Sequence, residues 1–206
     1  MYFLKILFVT SSPRRIKLLK KYHLNFEIIK PAREPEITLR DPCMTAILKA
    51  ERKIHSTLSK IPNNTVVIAA DTVIYIGGEV IGKPKDINDA INILKRLSGK
   101  THSVITALVL KTKDKTVKKC VKTLVRFKKL SMKEIMFYVK TGEPLDKAGA
   151  YAIQGYAAFF VKGIKGDYYN ILGLPLNAMY NILKKEFKLN VLTNRESLRK
   201  KLELEI

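Results

Sequence analysis

The sequence predicts an α/β domain, with strands and amphipathic helices alternating around a buried sheet, and three stretches predict it. The first is Thr65–Lys83, TVVIAADTVIYIGGEVIGK. Val66–Ile76 is a β-branched, apolar run. Its two alternating faces are both apolar: Val66, Ile68, Ala70, Ile74 and Ile76 on one, Val67, Ala69, Val73 and Tyr75 on the other. A strand apolar on both faces belongs inside a sheet, not on its rim. The second is the opening, where Phe3–Val9 reads as a buried strand that turns at Thr10-Ser11-Ser12 into a helix. The third is the pair His102–Leu110 and Thr116–Phe127. These long runs are joined only by the turn Lys113-Asp114-Lys115, the pattern of a hairpin.

Each element has a local reason. Ser12 is a good N-cap, Pro13 suits the first helical position, and Ile16, Leu19 and Lys20 follow at helical spacing. This corner combines free backbone N–H groups with Arg14 and Arg15 at the positive end of a helix, a ready anion site. An ordinary cap with solvated arginines is the alternative. Phe26–Ile29 is a short strand. Lys30–Arg40, with Pro31, Pro35, Glu34 and Glu36, is a loop. Asp41 caps a helix whose apolar face is Met44, Ile47, Leu48, Ile54 and Leu58, with Lys53 beside that stripe and within reach of the sheet, although such a lysine is more often merely solvated. Gly77-Gly78 turns the central strand back through Glu79–Gly82, which carries Lys83 toward it.

Asp86 caps the next helix, with Ala90, Ile91, Leu94 and Leu97 on one face and Ser98-Gly99 at its end. Ser131-Met132-Lys133-Glu134 is a capping box for a helix that Gly142 stops. Ala157–Ile164 reads as a strand. Pro175 opens a helix with Leu176, Met179, Tyr180, Leu183 and Phe187 on one face, and Arg195–Ile206 continues as a shorter helical pattern. His102, a lone histidine at a strand start, reads as structural, since a catalytic base needs a located partner.

Asp71 is the single polar break in the central run. An unpaired carboxylate is expensive to desolvate, so Asp71 is expected where the strand opens onto a cleft, beside a metal ion or a cation. The alternative is a buried aspartate satisfied by backbone donors. The segment Gly142–Tyr169 is dense in small residues that allow close backbone approach, with Asp146, Lys147 and Gln154 set among them. Gln154 offers a donor and an acceptor together, which suits a nucleobase edge.

The chain's 206 residues are 47% hydrophobic, enough to bury one core. Its net charge of +21 favours polyanionic partners but supports steering and solubility arguments, not a function. The lysines are scattered rather than gathered in a tail. MYFLKILFVTSS is too short for a membrane span and lacks a cleavage-site pattern. Cys43 and Cys120 lack metal-ligand spacing and read as reduced thiols of a cytoplasmic protein.

Together SSPRR, AADTV, GKPKDINDAINILKRLSGKTHSVITA, GEPLDKAGAYAIQG and GDYYNILGLPL closely resemble the Maf family of nucleoside triphosphate pyrophosphatases, from about Leu7 to about Leu183. DKAGAYAIQG resembles the subgroup acting on dTTP and UTP, not the one acting on a methylated GTP. The resemblance implies a mixed α/β fold with a strongly twisted sheet, helices on its flanks and a cleft between two lobes. It implies one domain over 1–190 and a helical tail over 191–206. It also implies hydrolysis to the monophosphate and pyrophosphate with Mg²⁺ or Mn²⁺, a homodimer, and an activity linked to removal of modified nucleotides and to cell-division arrest. By position, Asp71 matches the catalytic acid. Arg14, Thr72 and Gln154 match positions linked to base choice, and Ser12, Arg15, Glu34, Lys53 and Lys83 match polar positions lining the cleft. Glu34 and Asp71 are the expected metal ligands, with Glu36 a rival to Glu34. Phe8-Val9-Thr10 departs from the family's Leu-Ala-Ser. The rival readings are a pyrophosphatase for other modified nucleotides and a non-catalytic, basic nucleic-acid-binding protein. The second leaves Asp71 without a purpose, and the sequence lacks the aromatic-plus-basic signatures of common RNA modules.

Overall fold

The computed structural model describes residues 5–192 apart from 23, 25, 34 and 35. The chain runs through β1 (Lys5–Val9), α1 (Pro13–Lys21), β2 (Glu27–Ile29), α2 (Pro42–Thr57), β3 (Thr65–Ile76) and β4 (Glu79–Ile81). It continues through α3 (Ile87–Leu97), β5 (Thr101–Lys111), β6 (Thr116–Phe127), α4 (Met132–Lys140), β7 (Val161–Lys165), α5 (Tyr168–Ile171) and α6 (Leu176–Glu186). Among the described residues the strands form one seven-stranded mixed sheet in the order β2-β1-β3-β5-β6-β7, with β4 on β3. β1 is parallel to both β2 and β3, and the remaining pairs are antiparallel.

β3 is interior, as its two apolar faces require. Val66, Ile68, Ala70 and Ile74 enter the main core with Leu108, Leu94, Leu97, Tyr138 and Leu183. Val67 and Ala69 pack with Ala50 and Ile54 of α2, and Val73 with Ala46. Burying each of the valines, isoleucines and leucines among them contributes about 1.5–3 kcal/mol. The pairing along β3 explains where a polar residue is tolerated. β5 follows β3 continuously from Val67 to Tyr75. On the other edge β1 leaves at Val9↔Ala69, and β4 joins only at Ile74↔Ile81. Among the described residues Ala70–Val73 therefore have no strand on that edge, just beyond the C-terminal end of β1, where open α/β sheets form their crevices.

The caps form as their residues dictate. Asp41 accepts from the Met44 N–H at 2.8 Å, Asp86 accepts from Asp89, and Ser131 and Glu134 complete a reciprocal capping box. Three local expectations are corrected, and one helix that the sequence reading did not include is added. Met44 is exposed, and the buried side of α2 is Thr45, Ala46, Ala50, Lys53 and Ile54, where the small Ala46 and Ala50 let the helix approach the sheet closely. Tyr156–Phe160 is a 3-10 turn before β7, not the start of a strand: Ala157 and Phe160, three apart, point inward while Phe159 is exposed. α5 arises from an Asp167 cap on the Tyr169 N–H at 2.7 Å. Finally, Cys43 and Cys120 are joined as a disulfide, with Cα atoms 6.0 Å apart, because α2 packs over β6 and removes a sequence separation of 77. Residues 1–4, which include the expected strand start at Phe3, and residues 193–206 of the expected helical tail lie outside the described residues. No helix among the described residues is long and apolar enough to cross a membrane.

Candidate active site

The gap beside β3 opens into a cleft of about 370 Å³. Its lining comes from the β1–α1 corner (Ser11–Arg15), α2 (Lys53), β3 (Asp71, Thr72), the segment after β4 (Lys83), the turn at Asp146–Ala148, and Ile171–Gly173 after α5. Strand alternation sends Asp71 and Thr72 to opposite faces of the sheet. Asp71 faces α2, where Lys53 Nζ donates to its Oδ1 at 2.8 Å. Lys53 is 4% exposed, so this lysine is no solvated charge, and the Asp71 side chain keeps 13% of its surface open. A buried ammonium needs such a carboxylate partner. Asp71 Oδ2 accepts no hydrogen bond among the described residues.

Thr72 faces the other way. Its Oγ1 accepts from Arg15 Nη2 at 2.9 Å and shares a hydrogen bond with Thr106 Oγ1 at 2.9 Å. Arg15 is buried, and its Nε donates to the Gly173 carbonyl at 2.6 Å. Its Nη2 thus ties α1 to β3, and its Nε ties α1 to the segment after α5, at the wall of the cleft. Gly173 sits at φ +88°, and a Cβ there would lie 3.1 Å from Thr72 Oγ1 and 3.2 Å from Arg15 Nη2. This close approach admits only glycine without a shift of its neighbours.

Arg14 projects into the cleft beside Tyr151 and Ile153, which line an adjoining recess of about 20 Å³. Burial lowers its pKa, opposed by the nearby charges of Asp146, Tyr138, Tyr151 and Glu143. Burial is the largest influence on Asp146 and pushes its carboxyl up. The hydrogen bond and charge of Lys147, with the charge of Arg14, outweigh it and hold the carboxyl below its ordinary range. Ser12 holds the N-cap position of α1 without a side-chain cap bond. Its own N–H goes to the Thr10 hydroxyl at 3.1 Å, so the threonine that departs from the family pattern serves the corner directly.

Of the expected residues, Ser12, Arg14, Arg15, Lys53, Asp71, Thr72 and Lys83 converge on this one cleft. Gln154 is exposed on the turn after Ile153 and is not among the lining residues. Glu34 lies outside the described residues, and Glu36 is exposed. His102 is buried under Phe127 and Tyr151, with Nε2 2.8 Å from the Tyr151 hydroxyl, away from the cleft lining. Sequence reasoning noted Asp146 and Lys147 without assigning them to the site, and it overlooked Gly173. The glycine-rich stretch hinted at the first two. Only the fold brings Gly173 to Arg15. Among the described residues no three His, Cys, Asp or Glu side chains gather as a metal cage. Asp71 and Asp146 are hard oxygen donors in one cleft, which fits a Mg²⁺- or Mn²⁺-type ion that takes most of its ligands from phosphates and water.

The model of the family described as "Maf-like protein" matches residues 5–186. The chain is 43% identical over 181 residues to a dTTP/UTP pyrophosphatase of Aquifex aeolicus, covering 88% of this chain and 95% of that protein. It is 41% identical over 188 residues to a dTTP/UTP pyrophosphatase of Pyrococcus furiosus, covering 90% and 97%. A solved Ham1 protein of Staphylococcus aureus aligns with TM-score 0.46 at 14% identity, covering 88% of this chain and 99% of that one. With the family's model spanning the sheet and every described wall of the cleft, the chain belongs to the Maf family.

Proposed function

We propose that the chain hydrolyses dTTP and UTP to the monophosphate and pyrophosphate, by attack of water on the α-phosphorus. The observation that carries the reading is Asp71, a carboxylate held by a buried lysine at the mouth of a cationic cleft. Its Oδ2 is the oxygen available to orient or deprotonate the water. Arg14, Lys83, Lys147 and the N-terminal N–H groups of α1 surround the space for a triphosphate, and they stabilise charge developing on the leaving pyrophosphate. Lys53 fixes the Asp71 rotamer, and Arg15 fixes the wall. Little covalent chemistry is required, so positioning and electrostatics supply most of the rate.

A divalent ion, Mg²⁺ or Mn²⁺, is part of the proposal, with Asp71 and Glu34 as its proposed protein ligands and Asp146 as a further oxygen donor in the same cleft. When bound it offsets phosphate charge and lowers the pKa of coordinated water. Thr72, Arg14 and Gln154 are proposed to set base choice. The cytoplasm is the proposed compartment, where nucleoside triphosphates are made and used. A homodimer is proposed from an exposed apolar strip of Phe137, Tyr156 and Phe159 around a groove of about 320 Å³. The test is pyrophosphate release across a nucleotide panel with each metal. Asp71→Asn is expected to stay folded and lose about 100-fold or more in kcat, the range of a lost general base. Wild-type kcat in that variant refutes the assignment. Faster release from a methylated GTP than from dTTP or UTP refutes the substrate class.

A further inference from the structure

The hydrogen bonds behind Thr72 have a direction. Thr106 is fully buried, on β5 directly opposite Thr72, and its Oγ1 lies 3.0 Å from the Asn170 carbonyl. A carbonyl only accepts, so the single Thr106 proton goes to it. Thr106 Oγ1 is therefore the acceptor toward Thr72, and the Thr72 proton is spent inward. The opposite assignment leaves two oxygens facing each other at 3.0 Å with no proton between them, in a site without water access. Thr72 Oγ1 also accepts from Arg15 Nη2, which fills one of its two lone pairs. One lone pair remains, on a side chain that lines both the cleft and its recess. The whole arrangement is held from behind. Asn170 is fully buried, and its Nδ2 donates to the Val104 carbonyl and to Thr123 Oγ1, each at 3.0 Å.

We propose that Thr106, out of reach of any ligand, sets the base preference of the cleft by taking the proton of Thr72, so that Thr72 presents only an acceptor. An acceptor-only hydroxyl selects a base whose ring nitrogen carries a proton, the imide N3–H of uracil or thymine. It disfavours cytosine, whose N3 is itself an acceptor. A mismatch of this kind leaves two lone pairs opposed and unpaired. Thr106 is thus a positioning residue. This inference rests on the reading of the cleft as a pyrimidine nucleotide site.

The experiment compares kcat/KM for UTP and CTP in the full-length protein and in Thr106→Val and Thr106→Ser. Thr106→Val removes the acceptor and frees the Thr72 proton to rotate toward the ligand. The Asn170 carbonyl keeps the Gly173 N–H at 2.9 Å, so the change does not orphan it. The wild-type protein is expected to favour UTP by about tenfold or more. Thr106→Val is expected to shrink that ratio by about tenfold, chiefly by raising the CTP value, and Thr106→Ser to restore it. A merely structural role lowers both substrates together and leaves the ratio alone. An unchanged ratio in folded Thr106→Val overturns the inference while the pyrophosphatase reading stands. Equal turnover of UTP and CTP by the wild-type protein overturns it without any variant. Absence of pyrophosphate release from every nucleotide overturns both.

Discussion

Replacing Lys53 by methionine tests the electrostatic centre of the site. Lys53 emerges from the buried side of α2, between Ala50 and Ile54, and its side chain is 5% exposed against 13% for Asp71 at 2.8 Å. Methionine keeps the packing volume and removes the charge, leaving a carboxylate desolvated without its cation. Breaking one partner of a buried pair destabilises by about 3–5 kcal/mol. For a chain of this size that lowers Tm by roughly 6–20 °C, at 2–4 °C per kcal/mol. Asp71→Asn alone takes the carboxylate away from Lys53 and is expected to cost somewhat less, because the ammonium can turn toward the more open side of the cleft. The double variant removes both charges and should recover much of the loss. Chemical denaturation of the four proteins gives the coupling directly, with an expected value of roughly 2–3 kcal/mol. Losses that add within about 0.5 kcal/mol refute the reasoning, for then the two charges do not depend on each other.

Other consequences follow from single contacts. Burial brings the His102 pKa down from 6.5 to about 4, so the folded protein favours the neutral ring. Its contribution is fully present above pH 6.5 and is lost as pH falls toward 4, because the unfolded chain takes the proton first. That amounts to about 2 kcal/mol lost at pH 5, and His102→Phe should flatten this part of the stability–pH curve in denaturant titrations. Gly173→Ala places a Cβ at φ +88° against Thr72 and Arg15. It should lower stability by about 1–3 kcal/mol and raise KM, read by calorimetry and steady-state assay. Ser131→Ala opens the capping box of α4 and should destabilise by about 1 kcal/mol in the same denaturation assay, with kcat unchanged.

The features legible in the sequence are those written in local pattern. β3 shows both faces apolar with one acid, Gly77-Gly78 marks its turn, and Ser131–Glu134 marks a helix start, and all three stand in the fold as read. Asp71 was legible as an exception that needed a metal ion or a cation, whereas Lys53, beside an apolar stripe, read more readily as a solvated lysine. What stayed hidden depends on packing across the sheet. The stripe of α2 is set by how closely Ala46 and Ala50 let the helix sit, not by where the large residues fall. Cys43 and Cys120 meet only because α2 crosses β6. Gly173, Thr106 and Asn170 look like ordinary turn, strand and helix residues, and their hydrogen bonds behind Thr72 span 34 to 158 positions of sequence. No periodicity encodes such a chain of partners.

The direct measurement of the account is turnover of UTP in water enriched in ¹⁸O, with mass analysis of both products. Attack at the α-phosphorus, guided by Asp71, places the heavy oxygen in the monophosphate and none in pyrophosphate, and Asp71→Asn slows the appearance of labelled monophosphate by about 100-fold or more. Heavy oxygen in the pyrophosphate, or release of orthophosphate as the first product, contradicts it.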